Sequence, residues 1–476
     1  MIRFFNTMGR ELQEFKPIKT GEVRMYTCGP TVWNYPHIGN YRTFIFEDLL
    51  RRFLKYRGYK VTQVMNLTDV DDRIIKICKE QNLDLYEFTG KFAASFFEDL
   101  DYLRFERAEF YPRATEHVCE MVKIIKGLVE TGYAYKSEDA SIYYKISKFP
   151  AYGRLSGLKV SELKAGARVR QDDYDKDSAE DFALWKAWDE GDGKIFWESE
   201  LGRGRPGWHI ECSAMSMKYL GEEFDIHTGG VDNIFPHHEN EIAQSEAYTG
   251  KQFVRYWLHS EHLLINDEKM AKRLGNFITV GELRKHGVEG TALRFLLLSA
   301  QYRTQLNFTE QSLEQASASV RRINGFASRL EEAVRSTGSG KDNPKLEQAV
   351  NKAREAYGEA LDSDLDTPKA LAVVFGFIAE GNKHLDEGAS KHDAELMREF
   401  LFEDFDSVFA VIDLASEETS TLPLEVRSWL EERELARKSK DWQRADALRE
   451  KLLGSGIEVQ DTRLGQKWRR KRNASE

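Results

Sequence analysis

A strand that ends in a polar, glycine-containing loop and re-enters as a helix admits few folds, and Met25 to Asp48 read that way. Glu22 to Tyr26, bounded by Gly21, has the composition of a strand that ends at Cys28-Gly29-Pro30. Beyond His37-Ile38-Gly39-Asn40, residues Phe44, Leu49, Leu50, Phe53 and Leu54 recur at helical spacing. Strand, loop, helix is the arrangement in which backbone N–H groups at a helix N-terminus meet a phosphate. His37 and Asn40 stand where such a loop could put side chains on phosphates, and Gly39 permits close approach. Taken alone, these residues fit an ordinary βα turn equally well.

The remaining soft ligands lie far downstream, in Trp208-His209-Ile210-Glu211-Cys212 and Phe235-Pro236-His237-His238-Glu239-Asn240-Glu241. His237 and Glu241 are four apart, hence on one face of a helix running through Ile242, Ala243 and Tyr248. Cys28, Cys212, His237 and Glu241 form a donor set of sulfur, nitrogen and oxygen that suits Zn²⁺.

Five stretches carry a resemblance. Cys-Gly-Pro-Thr-Val from Cys28, His-Ile-Gly-Asn from His37, Asn-Leu-Thr-Asp-Val-Asp-Asp from Asn66, Gly-Trp-His-Ile-Glu-Cys-Ser-Ala-Met from Gly207 and Phe-Pro-His-His-Glu-Asn-Glu from Phe235 resemble cysteinyl-tRNA synthetase. The likeness runs in order from about Tyr26 to Trp468 and is specific to that family within the class I synthetases. It implies one zinc per chain on Cys28, Cys212, His237 and Glu241. It also implies Gly29 and Thr68 near the bound amino acid and Trp208 as a wall of its pocket. Gly229 and Gly230 would lie near adenosine, with Asp232 facing the ribose or the substrate ammonium. Asp69, Asp71 and Asp72 are left as structural, able to cap the helix that follows.

Asp267-Glu268-Lys269-Met270-Ala271-Lys272-Arg273 places two lysines three apart on a loop near Gly275, which suits a mobile cation clamp on a triphosphate. The segment resembles the second class I signature, Lys-Met-Ser-Lys-Ser, and departs from it at Ala271 and Arg273. Both lysines persist, so Lys269 and Lys272 join His37 and Asn40 as phosphate-holding residues, with Mg²⁺ accompanying ATP.

The resemblance implies an α/β fold. A Rossmann-like, doubly wound parallel-sheet catalytic domain is expected over 1–310, with an inserted connective subdomain at about 133–205. An α-helical bundle over 311–414 and a small C-terminal anticodon-binding unit over 415–476 follow. From Thr291 the chain reads as all-helical, with a linker at 336–344, a bend at Asp366-Thr367-Pro368 and a break at 415–423. Trp442, Trp468 and the cations between Arg463 and Arg472 suit RNA bases and phosphates.

No apolar run approaches the roughly 18 residues that a membrane span needs, and the N-terminus lacks a signal-peptide core. A cytoplasmic monomer is expected. Four cysteines in 476 residues make no disulfide framework. Cys78 and Cys119 read as small buried hydrophobes. A net charge of −10 argues against nonspecific coating of nucleic acid.

The implied reaction is ATP-dependent activation of L-cysteine and transfer of the cysteinyl group to tRNA(Cys). Zinc answers a selection problem, because an apolar pocket cannot strongly reject serine, which replaces the thiol by a hydroxyl. Two rivals are a cysteine:amino-sugar ligase on the same catalytic domain and a zinc-dependent RNA-binding regulator that has lost catalysis. The first would lack an anticodon-binding end. The second would be expected to lose His37 or Lys272, and both are present.

Overall fold

The structure, a computed structural model, describes residues 1–158, 181–270, 276–335, 342–414, 422–462 and 465–470. It opens with an antiparallel pair, β1 (Arg3–Asn6) and β2 (Glu11–Glu14). A parallel sheet begins with β3 (Glu22–Thr27) and β4 (Lys60–Met65), joined by α1 (Ile38–Tyr56), which buries Phe44, Leu49, Leu50, Phe53 and Leu54. Helices α2 (Asp72–Gln81), α3 (Leu85–Tyr102) and α4 (Val118–Glu130) follow. Asp71 caps α2 by accepting from Ile74 N at 2.7 Å, as its position predicts.

The expected insertion contains an antiparallel sheet of β5 (Ala134–Lys136), β6 (Ile142–Tyr144), β7 (Phe182–Ala187) and β8 (Gly204–Pro206). Residues 159–180 of it lie outside the described residues. The chain then returns to the parallel sheet through α5 (Trp208–Leu220), β9 (Phe224–Gly230), α6 (Glu239–Thr249) and β10 (Val254–Ser260).

The sheet order is β10-β9-β3-β4, every pair parallel. From β3 the chain crosses over to β4 on one side, and from β9 to β10 on the other. The carboxyl ends of β3 and β9 therefore flank a topological switch point, the crevice where open α/β sheets bind ligands.

A small sheet of β11 (Leu263–Ile265), β12 (Glu268–Lys269) and β13 (Leu306–Phe308) follows. Here the all-helical expectation fails. β13 comes after the helix Gly290–Leu298, and its three residues, paired in parallel with β11, are too few to show a period. Helices Glu310–Arg335, Pro344–Asp362, Thr367–Asp386 and Lys391–Glu399 do follow. The expected bend is a helix boundary at which Asp366 caps the next helix. The expected break at 415–423 falls mostly on residues outside those described.

Met1–Val320 and Leu330–Val411 form one compact unit, and Arg321–Arg329 with Ile412–Glu476 a second. In the second, helices Leu424–Lys438 and Trp442–Gly454 and an antiparallel pair, β14 (Ile457–Thr462) and β15 (Gly465–Arg470), enclose Leu422, Val426, Leu430, Leu452, Ile457 and Val459. Trp468 packs against that core whereas Trp442 is exposed, so the two tryptophans have different surroundings.

Cys78 is buried as expected, but Cys119 is exposed. It lies on the solvent side of α4, whose buried face is Val118, Met121, Val122, Ile124, Ile125 and Leu128. Among the described residues no helix is long and apolar enough to cross a membrane.

Candidate active site

The loop after β3 is held from two sides. Cys28 N donates to Thr228 O at the end of β9 (3.3 Å) and Gly29 N to Asn66 Oδ1 just past β4 (2.9 Å). A Cβ on Gly29 would stand 1.8 Å from Asn66 O, so the position requires glycine. At the start of α1, His37 is the N-cap. Its Nδ1 accepts from Asn40 N (3.2 Å), and Asn40 Oδ1 accepts from His37 N (3.1 Å). The two residues expected at phosphates thus also fix the shape of the helix mouth.

Cys28, Cys212, His237 and Glu241 converge, their donor atoms all within 4.8 Å of one another. Cys28 comes from the loop after β3 and Cys212 from α5. His237 stands just before α6 and Glu241 in its first turn. The i,i+4 relation holds, with His237 Nε2 3.1 Å from Glu241 Oε1. Burial opposes charge here, yet His227 and His237 hold the Glu241 carboxyl below its usual range. Against the same burial, Glu241 and Cys212 hold the His237 imidazolium up to about 10. The hydrogen bond between the thiols pulls Cys212 down despite its burial and pushes Cys28 up.

Glu241 Oε1 is buried and makes no well-aligned hydrogen bond among the described residues, its near neighbour being the His237 Nε2 at 3.1 Å. An orphaned carboxylate oxygen between two thiols and an imidazole nitrogen is the vacancy in bonding that a cation satisfies. The donor set therefore fits a metal. A second set, Cys28, His227, His238 and Glu241, also meets within 4.8 Å and shares two of the donors.

Around the donors runs a shell of imidazoles that the sequence reading left unassigned. His209 Nδ1 lies 3.0 Å from His237 Nδ1, and His227 Nε2 lies 3.1 Å from Glu241 Oε2. His238 reaches Cys28 Sγ through Nε2 (3.4 Å) and His259 Nε2 through Nδ1 (2.8 Å), and His259 Nδ1 meets Thr7 Oγ1 (2.7 Å). Burial, with the neighbouring histidines, keeps His238 neutral, and burial holds His259 down at about 3. Gly229 belongs to this packing, since a Cβ there would meet the His238 ring at 2.8 Å. Gly230 has no such neighbour. The available signal was one histidine near the end of each of two apolar strands, His227 in β9 and His259 in β10.

Beside the donors opens a cavity of about 300 Å³ lined in part by Thr31, Asp71, Trp208, His209, Glu211 and Pro236. Trp208 lines it and stacks on His237 with centroids 4.3 Å apart. Thr68 Oγ1 donates to Glu211 Oε2 at 3.0 Å. Burial and the nearby Cys212 push the Glu211 carboxyl well up. Asp72 binds Lys186 of β7 (2.9 Å) and Arg205 of β8 (2.6 Å), while Asp69 accepts from Thr115 Oγ1 (2.7 Å). Both aspartates are structural, as expected.

Past the ends of β9 and β10, Lys269 Nζ lies 3.4 Å from Asp232 Oδ1 and 3.3 Å from His262 Nε2, and His262 Nε2 is 3.4 Å from Asp232 Oδ1. Lys272, Ala271 and Arg273 lie outside the described residues.

Residues 14–318 match the tRNA synthetases class I (C) catalytic domain, residues 356–411 the DALR domain and residues 419–469 the cysteinyl-tRNA ligase anticodon binding domain. The cysteine–tRNA ligase of Brachyspira hyodysenteriae is 46% identical over 473 residues, covering 99% of each chain. That of Chlamydia pneumoniae is 47% identical over 468 residues, covering 98% of each. Among solved structures, Mycobacterium tuberculosis methionyl-tRNA synthetase in complex with methionyl-adenylate superposes with a TM-score of 0.60 at 12% identity, covering 82% of this chain and 90% of that one. A putative arginyl-tRNA synthetase from Campylobacter jejuni gives 0.54 at 14% identity, covering 83% and 94%. These two share the fold alone; the near full-length relatives and the catalytic-domain match show the family: the chain belongs to the cysteine–tRNA ligases, class I aminoacyl-tRNA synthetases.

Proposed function

We propose that this enzyme activates L-cysteine with ATP and transfers the cysteinyl group to the 3′ end of tRNA(Cys). The convergence of Cys28, Cys212, His237 and Glu241 beside the helix mouth of His37 and Asn40 carries the reading. A cysteine carboxylate oxygen attacks the α-phosphorus of ATP, and the bond to the β-phosphate oxygen breaks to release pyrophosphate. No protein nucleophile takes part, so the chain's contribution is positioning and charge stabilisation. The α1 N-terminus, with His37 and Asn40, receives phosphate, and Lys269 and Lys272 offset the charge that develops on pyrophosphate. A terminal ribose hydroxyl of the tRNA then attacks the adenylate carbonyl and displaces AMP.

Cys28, Cys212, His237 and Glu241 are the residues that would hold zinc, since two sulfurs favour this set over the one with His227 and His238. When bound, zinc supplies a Lewis acid that prefers a thiolate to an alcohol, which separates cysteine from serine. His209 and His227 orient His237 and Glu241 from behind, as outer-shell partners do. Gly29, Thr68 and Trp208 bound the amino-acid pocket, and Gly229, Gly230 and Asp232 face the nucleoside. The divisions at 310 and 414 are the functional ones, with 415–476 reading the anticodon. The enzyme acts as a monomer in the cytoplasm, with Mg²⁺ arriving on ATP.

The amino-sugar ligase reading finds no support in the comparisons. Cysteine-dependent ATP–pyrophosphate exchange, run with serine as competitor and followed by charging of tRNA(Cys), tests the proposal. Exchange with cysteine and rejection of serine are expected. Efficient exchange with serine, or exchange without charging, would refute it.

A further inference from the structure

The helices that carry Cys212 and Glu241, α5 and α6, pack against each other through polar side chains that take no part in the donor set. Ser213 of α5 and Gln244 and Ser245 of α6 are all 0% exposed. Gln244 Nε2 donates to His209 O (2.5 Å) and to Ser213 Oγ (2.8 Å), and Ser245 Oγ donates to Ser213 Oγ (2.8 Å). Ser213 Oγ in turn donates to the backbone oxygen of Glu241 at 3.5 Å. A hydroxyl has one proton and two lone pairs, so Ser213 is used to capacity. Gln244 Oε1, by contrast, is buried and makes no hydrogen bond among the described residues. A buried amide bonded at one end only stabilises a helix pair less than an apolar side chain of the same volume would. What it adds is direction, because hydrogen bonds weaken steeply when displaced, whereas apolar contacts tolerate repacking.

We infer that Gln244, Ser213 and Ser245 are positioning residues that fix the register of α5 against α6, and so set how tightly Cys212 and Glu241 grip a metal. The inference rests on the reading that Cys28, Cys212, His237 and Glu241 are the donors. The bonds fall where such a lock is needed. Ser213 directly follows Cys212, and Gln244 lies nearly one turn after Glu241. The carbonyl that Gln244 grips belongs to His209, whose ring meets that of His237. A slip of one residue along a helix is about 1.5 Å, while metal–donor distances tolerate only about 0.2 Å. The two donors on α5 and α6 therefore need their helices fixed more closely than apolar packing alone would fix them.

Zinc affinity and melting temperature, measured on the same full-length variants, test this without turnover. Ser213→Ala and Gln244→Met remove the bonds at nearly constant volume. Each should raise the zinc dissociation constant, read by competition with a chromogenic chelator, about 10- to 100-fold, as loss of an outer-shell partner does. Each should still melt within about 4 °C of the wild type, the shift expected for one hydrogen bond in a chain of this size. Val374→Ala is the control, a fully buried residue of the helix Thr367–Asp386. It should lower the melting temperature at least as much and leave zinc affinity unchanged. In exchange kinetics Gln244→Met should raise the KM for cysteine and leave that for ATP near wild type. Unchanged zinc affinity in both Ser213→Ala and Gln244→Met would overturn the inference. So would a zinc affinity that falls in step with melting temperature across all three variants, the mark of a merely structural role. A wild-type protein that takes up no zinc would instead refute the donor set, and this inference with it.

Discussion

Around Cys212 the donors are buried and backed by a further residue, whereas around Lys269 the charged groups are exposed and hold one another loosely. Cys212, His237 and Glu241 are at most 1% exposed, and His209, His227 and His238 contact the cluster at 3.0–3.4 Å. The Lys269 and Asp232 side chains are 63% and 68% exposed and meet at 3.4 Å. The difference suits the two tasks proposed for these regions. Telling sulfur from oxygen requires donors fixed to within tenths of an ångström, which only close packing provides. Stabilising a pyrophosphate that forms and then departs requires cations free to follow it, and an exposed pair costs little to separate.

The largest effect should come from breaking the fixed side. Cys212→Ala should lower zinc from about one per chain to near none and reduce cysteine-dependent exchange by about 10³-fold or more. Elemental analysis and exchange kinetics on the same preparation check this. Retained zinc would remove Cys212 from the donor set, and zinc lost with exchange retained would show that the metal is not what selects the thiol.

On the loose side, Lys269→Ala should slow exchange by about 10²- to 10³-fold, the usual cost of removing one group that stabilises transition-state charge. Its melting temperature and its affinity for cysteine should stay near wild type, because an exposed side chain contributes within about 0.5 kcal/mol. A matched loss of stability and rate would mean that the rim is as rigidly built as the cluster.

The division between the two regions is also a division in what the sequence discloses. Cys28, Cys212, His237 and Glu241 were legible because sulfur and imidazole donors are rare in this composition and because one pair keeps helical spacing. His209, His227, His238 and His259 were not legible as a shell, since their contacts join β9, β10, α5 and the turn before α6. That adjacency exists only once the sheet order is known. β3 announced itself by a strand-like run ending at Cys28-Gly29-Pro30, while β13 at three residues could not. Glu47 was hidden for another reason. It occupies a buried position of α1 that the apolar pattern of the helix assigns to the core, and nothing local marks an acid there as a partner of Thr228.

Glu47 joins the two regions physically, since it lies on the helix whose mouth is His37 and Asn40 and accepts from Thr228 Oγ1 at 2.8 Å. Burial pushes its carboxyl well up, which favours the neutral acid. An amide is then a fair replacement, and Glu47→Gln should change stability by less than about 1 kcal/mol. Glu47→Ala leaves the Thr228 hydroxyl unpaired and opens a cavity, and should cost about 2–4 kcal/mol in chemical denaturation. Equal losses in both variants would show that Glu47 is held as a carboxylate.

The smallest effect concerns how the rim helix is anchored. Tyr41, next to Asn40 on α1, donates its hydroxyl to Asp99 Oδ2 of α3 at 2.7 Å. Burial raises the Asp99 carboxyl to about 6, from about 3.9 in an unfolded chain. The folded state therefore binds this proton more tightly than the unfolded state. The stabilisation is fully present below about pH 4 and is lost as pH rises through about 6. Above pH 7 the folded protein carries a charged, buried carboxylate under the mouth of α1. Asp99→Asn mimics the neutral acid and still accepts from Tyr41. It should exceed the wild type in stability by about 2 kcal/mol at pH 8, and the gap should close between pH 7 and pH 4. Denaturant melts of both proteins across that range check the sign as well as the size. A gap that widens as pH falls would mean that Asp99 is stabilised in its charged form and that the helix mouth rests on an ion pair.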